Sequence, residues 1–554
     1  MPERPDSGWD VQADVVVVGF GAAGACAALE AVAAGADVLV LDRFGGGGAT
    51  ALSGGVVYAG GGTAQQREAG VSDSPEAMFD YLSLEVGDAV SPATLRDFCQ
   101  GSRAMLEWLE GHGVPFEGSL CPVKTSYPTN RYYLYYSGSE ASERKITSPA
   151  PRGHRVRGRG TSGGLLFARL RRAVRGSGAR VIGQTSAQRL ISAQGRVTGV
   201  ECRSLRGAPA VAHRVLHRLS AKPFIYWPKL GRALHRRAAW LERRYGRPLR
   251  VGARRGVVLA AGGFVANRPM MREHAPAYRG GLPLGTPGDD GSGIRLGTQA
   301  GGATRFLDRV SVWRFLSPPP ALLTGVLVDE AGRRLCDESR YGAAVGEAVI
   351  RAGGRAWLLV DAATVALARR QLRGSTLWFQ RLQAWYLLTA ARVRGPDAAG
   401  LAARAGVDPA GLAATLSAYN AAAAAGGPDP AGKPADLVRA QDRPPYSLID
   451  CSVRPRLAYP APMLTLGGLA VGERTGQVLR PDGSGVPGLY AAGRNAVGLC
   501  SNSYVSGLSL ADCVFSGRRA GAHAAASACE TSAPGVCADI PADIPADSNP
   551  ASAS

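Results

Sequence analysis

The sequence predicts an α/β fold with two domains, and three observations support this prediction. The chain has 554 residues, more than the roughly 250–300 residues that one hydrophobic core accommodates. Residues 12–43 have the pattern of a buried strand, a glycine-rich turn, an alanine-rich helix and a second strand. Two later apolar strands, at 257–260 and 488–491, each run into a glycine turn. Strands that alternate with helices in this way are typical of α/β proteins.

The remaining elements follow in chain order. Residues 73–112 have a helical pattern, and residues 161–201 predict a helix followed by two strands. A basic, helix-prone stretch at 206–250 interrupts the connection to the strand at 257. Residues 270–460 are mixed and are expected to form the second domain. The tail repeats Ala-Asp-Ile-Pro and ends in Ser, Ala and Pro, which predicts disorder.

Composition excludes several classes of protein. Hydrophobic residues make up 45% of the chain and charged residues 19%, which is typical of a globular protein. The ten cysteines contain no C-x-x-C pair, so the sequence indicates neither a zinc site nor a dithiol, and no metal is expected. The first ten residues are polar, and no run approaches the ~18 apolar residues that span a bilayer. We therefore expect a cytoplasmic protein.

The glycine-rich turn after the first strand predicts a dinucleotide site. In the G-x-G-x-x-G pattern the first glycine makes the turn, the second admits a pyrophosphate, and the third lets helix pack on strand. The pattern follows an apolar strand, opens a helix, and precedes an acidic residue at the end of the second strand, where an acid binds ribose hydroxyls. The alternative is a purely structural turn. The predicted contacts are Gly19, Gly21, Ala22, Ala23, Gly24, Asp42 and Arg43.

The order of the other glycine-bearing segments favours FAD over NAD. A Gly/Thr/Ser loop occupies 45–55, and the strands at 257 and 488 end in glycine turns far apart in the chain. This arrangement matches a flavoprotein whose cofactor domain is built from both ends of the chain. The further predicted cofactor contacts are Thr50, Ser53, Gly54, Gly55, Ala261, Gly262, Gly493, Arg494, Asn495, Ser509 and Leu510.

Three further segments, at 288–293, 465–469 and 493–495, have the pattern of a known superfamily. With these and the motifs above, residues 12–524 resemble the fumarate reductase/succinate dehydrogenase-type flavoprotein superfamily. The resemblance implies a two-dinucleotide-type FAD-binding Rossmann-like domain at 1–270 and 441–525, which carries the basic insert 206–250. An α+β catalytic cap domain is inserted at 271–440, and 526–554 form a disordered tail. The covalent branch has a histidine near residue 49, where this chain has Ala49, so non-covalent FAD is expected.

Two segments favour the steroid branch of this superfamily. The fumarate branch has a His-Pro-Thr pattern where this chain reads Leu-Ser-Pro-Pro-Pro at 316–320. The segment Tyr504-Val-Ser506-Gly is similar to the active-site segment of 3-ketosteroid Δ4-(5α)-dehydrogenases, and residues 333–341 match a second segment that implies Tyr341 in the active site. The resemblance therefore implies oxidation of a flat apolar ketone.

The residue types suit that chemistry. Forming a C=C bond beside a ketone requires loss of the alpha proton and of a beta hydride, which flavin N5 accepts. Our hypothesis is that Tyr504 takes the proton, with Tyr341 and Ser506 assisting, because a neighbouring hydroxyl would lower a tyrosine pKa from its usual value near 10. The ketone would be polarised by backbone N–H groups around Gly468 or Gly507. The alternatives are that the tyrosines are structural, or that the enzyme is a Δ1-dehydrogenase or enone reductase.

The charge of +20 is concentrated in particular segments. Residues 206–250 contain twelve Lys/Arg and one acid, Glu242, together with Trp and Leu. Residues 369–394 have a similar composition of arginine with large apolar residues. Such helices suit an anionic membrane surface, so peripheral docking on the inner face of the membrane is one interpretation and a solvated face is the other. The pair His213 and His217 is interpreted as a solvated helix face. No nucleic-acid-binding module is visible.

The acceptor of the electrons is open from the sequence, with a quinone as one example. A flavin-binding, membrane-docked electron-transfer protein without catalysis is the alternative outside the enzyme class. An aromatic run at 127–136 either lines a flat apolar pocket or forms a half-buried hairpin of the cap.

Overall fold

The computed structural model describes residues 8–142, 148–278, 280–426, 429–454 and 458–527. From residue 528 onward, the tail that the sequence predicts to be disordered lies outside these residues. Within them, every helix is too short or too polar to cross a bilayer.

The first half of the chain contains the elements that build most of one large sheet and its covering helices. These elements are β1 (Val11–Val18), α1 (Ala22–Ala33), β2 (Val38–Leu41), α2 (Gly48–Leu52), β3 (Val56–Tyr58), α3 (Ala64–Glu68), α4 (Pro75–Val86), α5 (Pro92–Gly111), β4 (Leu134–Tyr135), β5 (Gly153–Arg155), α6 (Gly163–Gly176), β6 (Arg180–Ile182), β7 (Thr185–Ala193), β8 (Arg196–Ser204), α7 (Gly207–Tyr226), α8 (Pro228–Tyr245) and β9 (Arg247–Leu259).

The second half contains the elements of a smaller antiparallel sheet and then returns to the large sheet. These elements are α9 (Arg268–His274), β10 (Leu282–Pro283), α10 (Ser292–Gln299), β11 (Thr304–Arg305), β12 (Val310–Val312), β13 (Val326–Val328), α11 (Gly342–Arg351), β14 (Trp357–Val360), α12 (Ala362–Ser375), α13 (Trp378–Leu387), β15 (Arg392–Gly395), α14 (Ala398–Ala405), α15 (Pro409–Ala425), β16 (Tyr446–Asp450), β17 (Pro462–Thr465), β18 (Gly468–Leu469), β19 (Gln477–Leu479), β20 (Gly485–Ala491) and α16 (Leu508–Ala526).

The large sheet has the strand order β19-β20-β9-β1-β2-β6, and its core strands are parallel. Leu259 of β9 pairs with Val18 of β1 on one side and with Ala491 of β20 on the other. Strands from both ends of the chain therefore meet at one edge. This arrangement confirms the α/β, Rossmann-like prediction.

Strand β1 is buried on both faces, which explains its unbroken apolar sequence. Val15 and Val17 pack into the core under α1 and α16, while Val16 and Val18 point into the core on the opposite face of the sheet. Successive side chains of a strand point to opposite faces, so each valine of β1 serves one of two cores.

Helix α16 returns from the far end of the chain to pack along α1. A Cβ on Gly517 would lie 2.5 Å from the carbonyl oxygen of Ala23, and one on Gly521 would lie 2.2 Å from that of Ala27. Glycine at these two positions is what lets the helix backbones approach so closely.

The basic insert is a pair of helices, α7 and α8, at the end of the antiparallel pair β8–β9. Ser204, the last residue of β8, pairs with Arg247, the first of β9. The helical prediction for this stretch is confirmed, and both ends of the helix pair are fixed by the sheet.

The smaller sheet has the order β13-β14-β16-β15 and is antiparallel. Its strand β14 is followed directly by α12 and α13, which lead back to the large cavity described below.

Candidate active site

The glycine-rich turn after β1 has glycine for two different reasons. Gly19 has φ +107°, and a Cβ there would lie 2.4 Å from the Ala260 carbonyl oxygen. A Cβ on Gly24 would lie 1.9 Å from the carbonyl oxygen of Gly19. At Gly21 the nearest atom, Oγ1 of Thr50, is 3.5 Å away, an ordinary contact. Packing therefore requires the first and third glycines, while the second leaves its space to a ligand at the N-terminus of α1.

Asp42 organises the loop that follows β2. Its carboxylate accepts hydrogen bonds from the backbone N–H groups of Phe20 at 2.9 Å, Phe44 at 2.8 Å and Gly46 at 2.9 Å. The carboxylate thus fixes two loops against each other at the edge of the cavity, and its role toward a ribose stays a prediction.

Arg43 is engaged by protein carboxylates. Its Nε and Nη2 donate to Glu242 of α8 at 2.8 and 2.9 Å, and its Nη1 donates to Asp290 at 2.8 Å. The side chain lines the cavity, but its charge joins the insert to the loop before α10. Its predicted contact with the cofactor stays a prediction.

The interpretation of His213 and His217 as a solvated helix face is wrong. His213 has 0% exposure, its Nε2 lies 2.8 Å from Oε1 of Glu242, and both imidazoles stack on Phe44, with ring centroids 5.3 and 3.8 Å away. The i,i+4 spacing places both rings on one helix face but does not say whether that face points inward. Here the face packs on the loop after β2 and is desolvated.

This packing changes the ionisation of the cluster. Burial lowers the pKa of His217 to about 3 and that of His235 to about 4. Burial by itself would raise the pKa of Glu242, but hydrogen bonds from His213 and Arg43 lower it to about 2. At neutral pH the Glu242 carboxylate therefore holds the insert in place beside the uncharged imidazoles of His217 and His235.

A single cavity of about 1480 Å³ runs from the glycine turn to an aromatic pocket. Most of the predicted site residues line it. They are Gly19, Gly21, Ala22, Ala23, Asp42, Arg43, Thr50, Ser53, Gly54, Gly55, Ala261, Gly262, Tyr341, Arg494, Tyr504, Ser506, Ser509 and Leu510.

Three predicted contacts do not line the cavity. Gly24 packs against β1 as described, and Gly493, with φ +60°, donates its N–H to Ser516 Oγ at 2.9 Å. Asn495 is fully buried behind the lining. The motif at 493–495 therefore shapes the backbone here, and only its middle residue, Arg494, reaches the cavity.

Arg494 places a buried positive charge on the cavity wall. Its Nη2 donates to Asp289 Oδ1 at 2.6 Å, whereas its Nη1 is buried without a hydrogen-bond partner among the described residues. A buried unpaired guanidinium nitrogen is costly unless an acceptor completes it. Together with the space at Gly21, this nitrogen fits a bound flavin dinucleotide.

Tyr341 is positioned by a buried ion-pair network. Glu338, three residues earlier, has 0% exposure and is held by Arg334 at 2.7 Å and Lys433 at 2.9 Å. The backbone N–H of Tyr341 then donates to Ser139 Oγ at 3.0 Å, just before α11 begins. These contacts fix the segment that places the phenol of Tyr341 in the cavity wall.

Tyr504 lies on a loop that is hydrogen-bonded to α4. Ser503 Oγ donates to Glu85 Oε2 at 2.8 Å, and Asn502 Nδ2 donates to the carbonyl oxygen of Glu85 at 2.9 Å. After the tyrosine, Gly507 has φ +94°, and a Cβ there would lie 2.8 Å from the Tyr58 nitrogen. The glycine of the Tyr-x-Ser-Gly segment is therefore required by the turn into α16.

The two predicted tyrosines lie together in an aromatic pocket. The rings of Tyr341 and Tyr504 are stacked, with centroids 6.3 Å apart and planes 28° apart. Trp313 lies 4.7 Å from Tyr504, and Phe315 lies 5.7 Å from Tyr341, by ring centroids. Such a pocket suits a flat apolar ligand.

Ser506 contacts a tyrosine that the sequence did not single out as catalytic. Its Oγ lies 3.2 Å from the hydroxyl of Tyr135, which is fully buried on β4. Tyr135 belongs to the aromatic run at 127–136, and of that run Tyr127 lines the cavity whereas Tyr135 lies behind it. Some residues of the run therefore contribute to the pocket, Tyr127 in its lining and Tyr135 through Ser506. Gly507 lines the cavity, whereas Gly468, the other suggested polarising group, lies in β18 outside the lining.

Burial opposes ionisation of both phenols. It raises the pKa of Tyr341 and that of Tyr504 well above the usual value of 10. The Ser506 hydroxyl acts in the opposite direction on Tyr341, and Arg494 and the Gly507 backbone do so on Tyr504. The groups that counter burial at Tyr504 are therefore not the hydroxyls that the sequence suggested.

Sequence reasoning did not single out Trp313 and Phe315, which precede residues 316–320, where the fumarate branch has histidine. The signal available was their i, i+2 spacing on either side of Arg314 after β12, which directs both rings to one side of an extended chain. Their partner in the pocket is set by the tertiary fold.

Comparisons with known proteins agree with this geometry. Residues 14–509 match the model of the FAD binding domain family. The chain is 38% identical over 513 residues to a 3-oxo-5-alpha-steroid 4-dehydrogenase of Comamonas testosteroni, covering 88% of this chain and 93% of that one. It is 26% identical to a 3-oxosteroid 1-dehydrogenase of Mycobacterium tuberculosis, covering 89% and 94%.

Among solved structures, the fold is similar to that of a 3-ketosteroid-Δ4-(5α)-dehydrogenase from Rhodococcus jostii RHA1 in complex with 4-androstene-3,17-dione. The TM-score is 0.79 at 31% identity, covering 94% of this chain and 98% of the other. The chain belongs to the FAD binding domain family. It is an FAD-dependent oxidoreductase of the fumarate reductase and steroid dehydrogenase type, which confirms the resemblance that the sequence indicated.

Proposed function

We propose that the protein is a 3-ketosteroid Δ4-(5α)-dehydrogenase, which introduces a C=C bond next to the ketone of a saturated 3-ketosteroid. The observation that carries this proposal is the stacked pair Tyr341 and Tyr504 in an aromatic pocket at one end of a cavity that begins at the dinucleotide turn. The 38% identity to a steroid 4-dehydrogenase over nearly the whole chain supports the same reaction.

In this proposal Tyr504 removes the proton alpha to the ketone. Arg494 supports the phenolate by its charge, and the Gly507 backbone supports it by a hydrogen bond. Tyr341, which the Ser506 hydroxyl assists, holds the ketone end of the substrate. FAD, when bound, supplies the acceptor for the beta hydride. The pocket walls exclude water from the reacting carbons.

The cofactor is held without a covalent bond in this proposal. Ala49 and Thr50 line the cavity where the covalent branch has histidine, and Thr50 Oγ1 accepts a hydrogen bond from the Ala22 N–H at 3.0 Å. The domain limits 1–270, 271–440 and 441–525 belong to the same proposal. They are supported by the pairing of β20 with β9.

Two partners complete the proposal. Electrons pass from the reduced cofactor to an acceptor such as a quinone. The protein is peripheral on the inner face of the membrane. Of the two basic stretches, 206–250 and 369–394, the second supports this placement, because the histidine face of the first packs on Phe44.

The test is anaerobic titration of the purified yellow protein with 5α-saturated and with Δ4 3-ketosteroids. Loss of the visible flavin absorbance with the saturated ketone, together with a product two hydrogens lighter that retains the ketone, supports the proposal. Loss with the Δ4 ketone alone would move the assignment to Δ1 chemistry. No loss with either would refute a steroid substrate.

A further inference from the structure

Helix α13 exposes large apolar side chains along one face. Trp378, Leu382 and Trp385 follow the i, i+4, i+7 spacing of a single helix face, and they are 74%, 62% and 60% exposed. The opposite face is buried through Gln380 and Ala384. Large apolar side chains that are exposed together on one helix face, the patch of α13, are typical of an interaction site.

This patch is part of the mouth of the cavity. Trp378 and Leu382 are both exposed and line the cavity, so they stand at its rim. The rim is attached to the cavity wall, because Gln380 Nε2 donates to the Tyr127 carbonyl oxygen at 3.3 Å. A ligand that enters over this rim therefore passes directly from the surroundings of α13 to the aromatic pocket.

The sequence segment that carries the patch has charges of one sign. Between Asp361 and Asp397 the sequence has six arginines and no acidic residue. Arg369, Arg370 and Arg381 are exposed. Arginine with tryptophan and leucine on one face is the composition of helices that lie in the interface of an anionic bilayer.

We propose that α13 docks on an anionic bilayer, so that the mouth of the cavity opens toward the lipid and an apolar substrate enters from it. The docking follows from charge complementarity and from the exposed rim. Only the identity of what enters rests on the proposed steroid function. Each arginine near the surface raises affinity for anionic lipid roughly fivefold.

The experiment measures co-sedimentation of the full-length FAD-loaded protein with vesicles of phosphatidylglycerol and phosphatidylcholine in equal parts, or of phosphatidylcholine alone. The test variant is Arg381→Glu with Trp385→Ser, since neither residue lines the cavity. The matched control is Arg236→Glu with Trp240→Ser, an exposed arginine and tryptophan at the same i,i+4 spacing on α8.

We expect the wild type to bind the anionic vesicles at about 0.1 M salt and to be released at about 1 M, where the screening length falls to roughly 3 Å. The α13 variant should bind at least about tenfold more weakly, because it loses one positive charge, gains a negative one and loses a tryptophan. The α8 variant should stay within about twofold of the wild type.

Three results would overturn the proposal. The first is a wild type that fails to bind anionic vesicles. The second is loss of binding in the α8 variant alone, which would place docking on the insert. The third is a dimer in sedimentation velocity that the α13 variant dissociates, which would make a second copy of the chain the partner of this face.

Turnover separates docking from the proposed function. With a 5α-saturated 3-ketosteroid supplied in cyclodextrin, the α13 variant should match the wild type. With the same steroid dissolved in anionic vesicles, its rate should fall in parallel with its binding. If no steroid reduces the flavin, the proposed function fails while vesicle binding still decides the docking.

Discussion

The insert α7–α8 and the stretch 369–394, which contains helix α13, have similar compositions but differ in how they are attached to the rest of the protein. Both stretches are rich in arginine and in large apolar residues, although α13 itself contains only one arginine, Arg381. The insert turns its histidine face onto the loop after β2, where His213 is completely buried. Helix α13 instead leaves Trp378 and Trp385 in solvent at the cavity rim. Composition therefore predicts a basic amphipathic segment in both places but does not tell which one is tied to its own protein by charged contacts.

The difference between them follows from one residue. The insert contains a single acid, Glu242, and it is the residue that accepts hydrogen bonds from Arg43 and from His213. The stretch between Asp361 and Asp397, which contains α13, has no such acid. In a segment that is otherwise of one charge, the lone opposite charge marks where the segment is anchored to its own protein.

The largest effect is expected at the aromatic end of the cavity, far from the insert in the chain. Tyr504→Phe removes the proposed base, so kcat should fall by roughly 10²–10⁴. FAD should stay bound, because the glycine turn and Arg494 are untouched. Stopped-flow reduction by a 5α-saturated 3-ketosteroid measures the first effect, and the flavin-to-protein ratio measures the second. A variant that keeps wild-type turnover would remove Tyr504 from the mechanism.

The next effect tests the anchor of the insert. Glu242→Gln keeps the shape of the side chain but loses its charge toward Arg43 and His213, which should lower the free energy of unfolding by about 2 kcal/mol. Since His217 lines the cavity, FAD affinity should also fall, whereas the KM for steroid should not change.

Thermal unfolding and flavin fluorescence during reconstitution measure both quantities. The control is Glu201→Gln on β8, which removes an exposed pair with Arg189 of β7 and should cost less than about 1 kcal/mol. Equal effects of the two substitutions would show that Glu242 is no more than a surface charge.

The sequence predicted the cofactor half of the molecule well, because its signals are local. The turn Gly19–Gly24, the strand that follows it and the late strand β20 are each encoded in short runs whose meaning does not depend on distant partners. The Tyr504 segment was predicted from its resemblance to a known active-site segment, which is also a short run, and its glycine is required by the turn.

The rest of the site could not be predicted because it depends on which distant segments meet. The hydroxyl partner of Ser506 is Tyr135, 371 residues earlier in the chain. The charge that counters burial at Tyr504 comes from Arg494, which was expected only to contact the cofactor. The inward orientation of His213 and His217 depends on Phe44. Periodicity places such residues on a face, and only packing decides what the face contacts.

The next smaller effect is a dependence of the free energy of unfolding on pH, which is expected from the buried histidines of the insert and not from α13. His217 and His235 have pKa values lowered by burial to about 3 and about 4, from the usual 6.5. Between pH 6.5 and about 4 the unfolded chain therefore binds protons that the folded insert does not, and stability falls as the pH is lowered through this range. The carboxylate of Glu242, with a pKa of about 2, adds to the loss only below its usual 4.5.

Denaturant unfolding at about pH 7 and about pH 5 measures this dependence. His217→Phe keeps a ring against Phe44 and removes one titrating group, so its stability should depend less on pH than that of the wild type. An unchanged dependence in the variant would assign the loss of stability to groups outside the insert.

The smallest expected effect concerns the exposed tryptophans of the two regions. Trp240→Ser on α8 and Trp385→Ser on α13 should each change the free energy of unfolding by less than about 0.5 kcal/mol, because these side chains are 51% and 60% exposed. Chemical denaturation of the two variants in parallel measures the change. If Trp385→Ser cost as much as a core substitution, the ring would be part of the protein's own packing, and the comparison between an anchored insert and an uncovered α13 would not hold. If both changes are small, solvent exposure of Trp385 in the folded protein is established independently of any lipid.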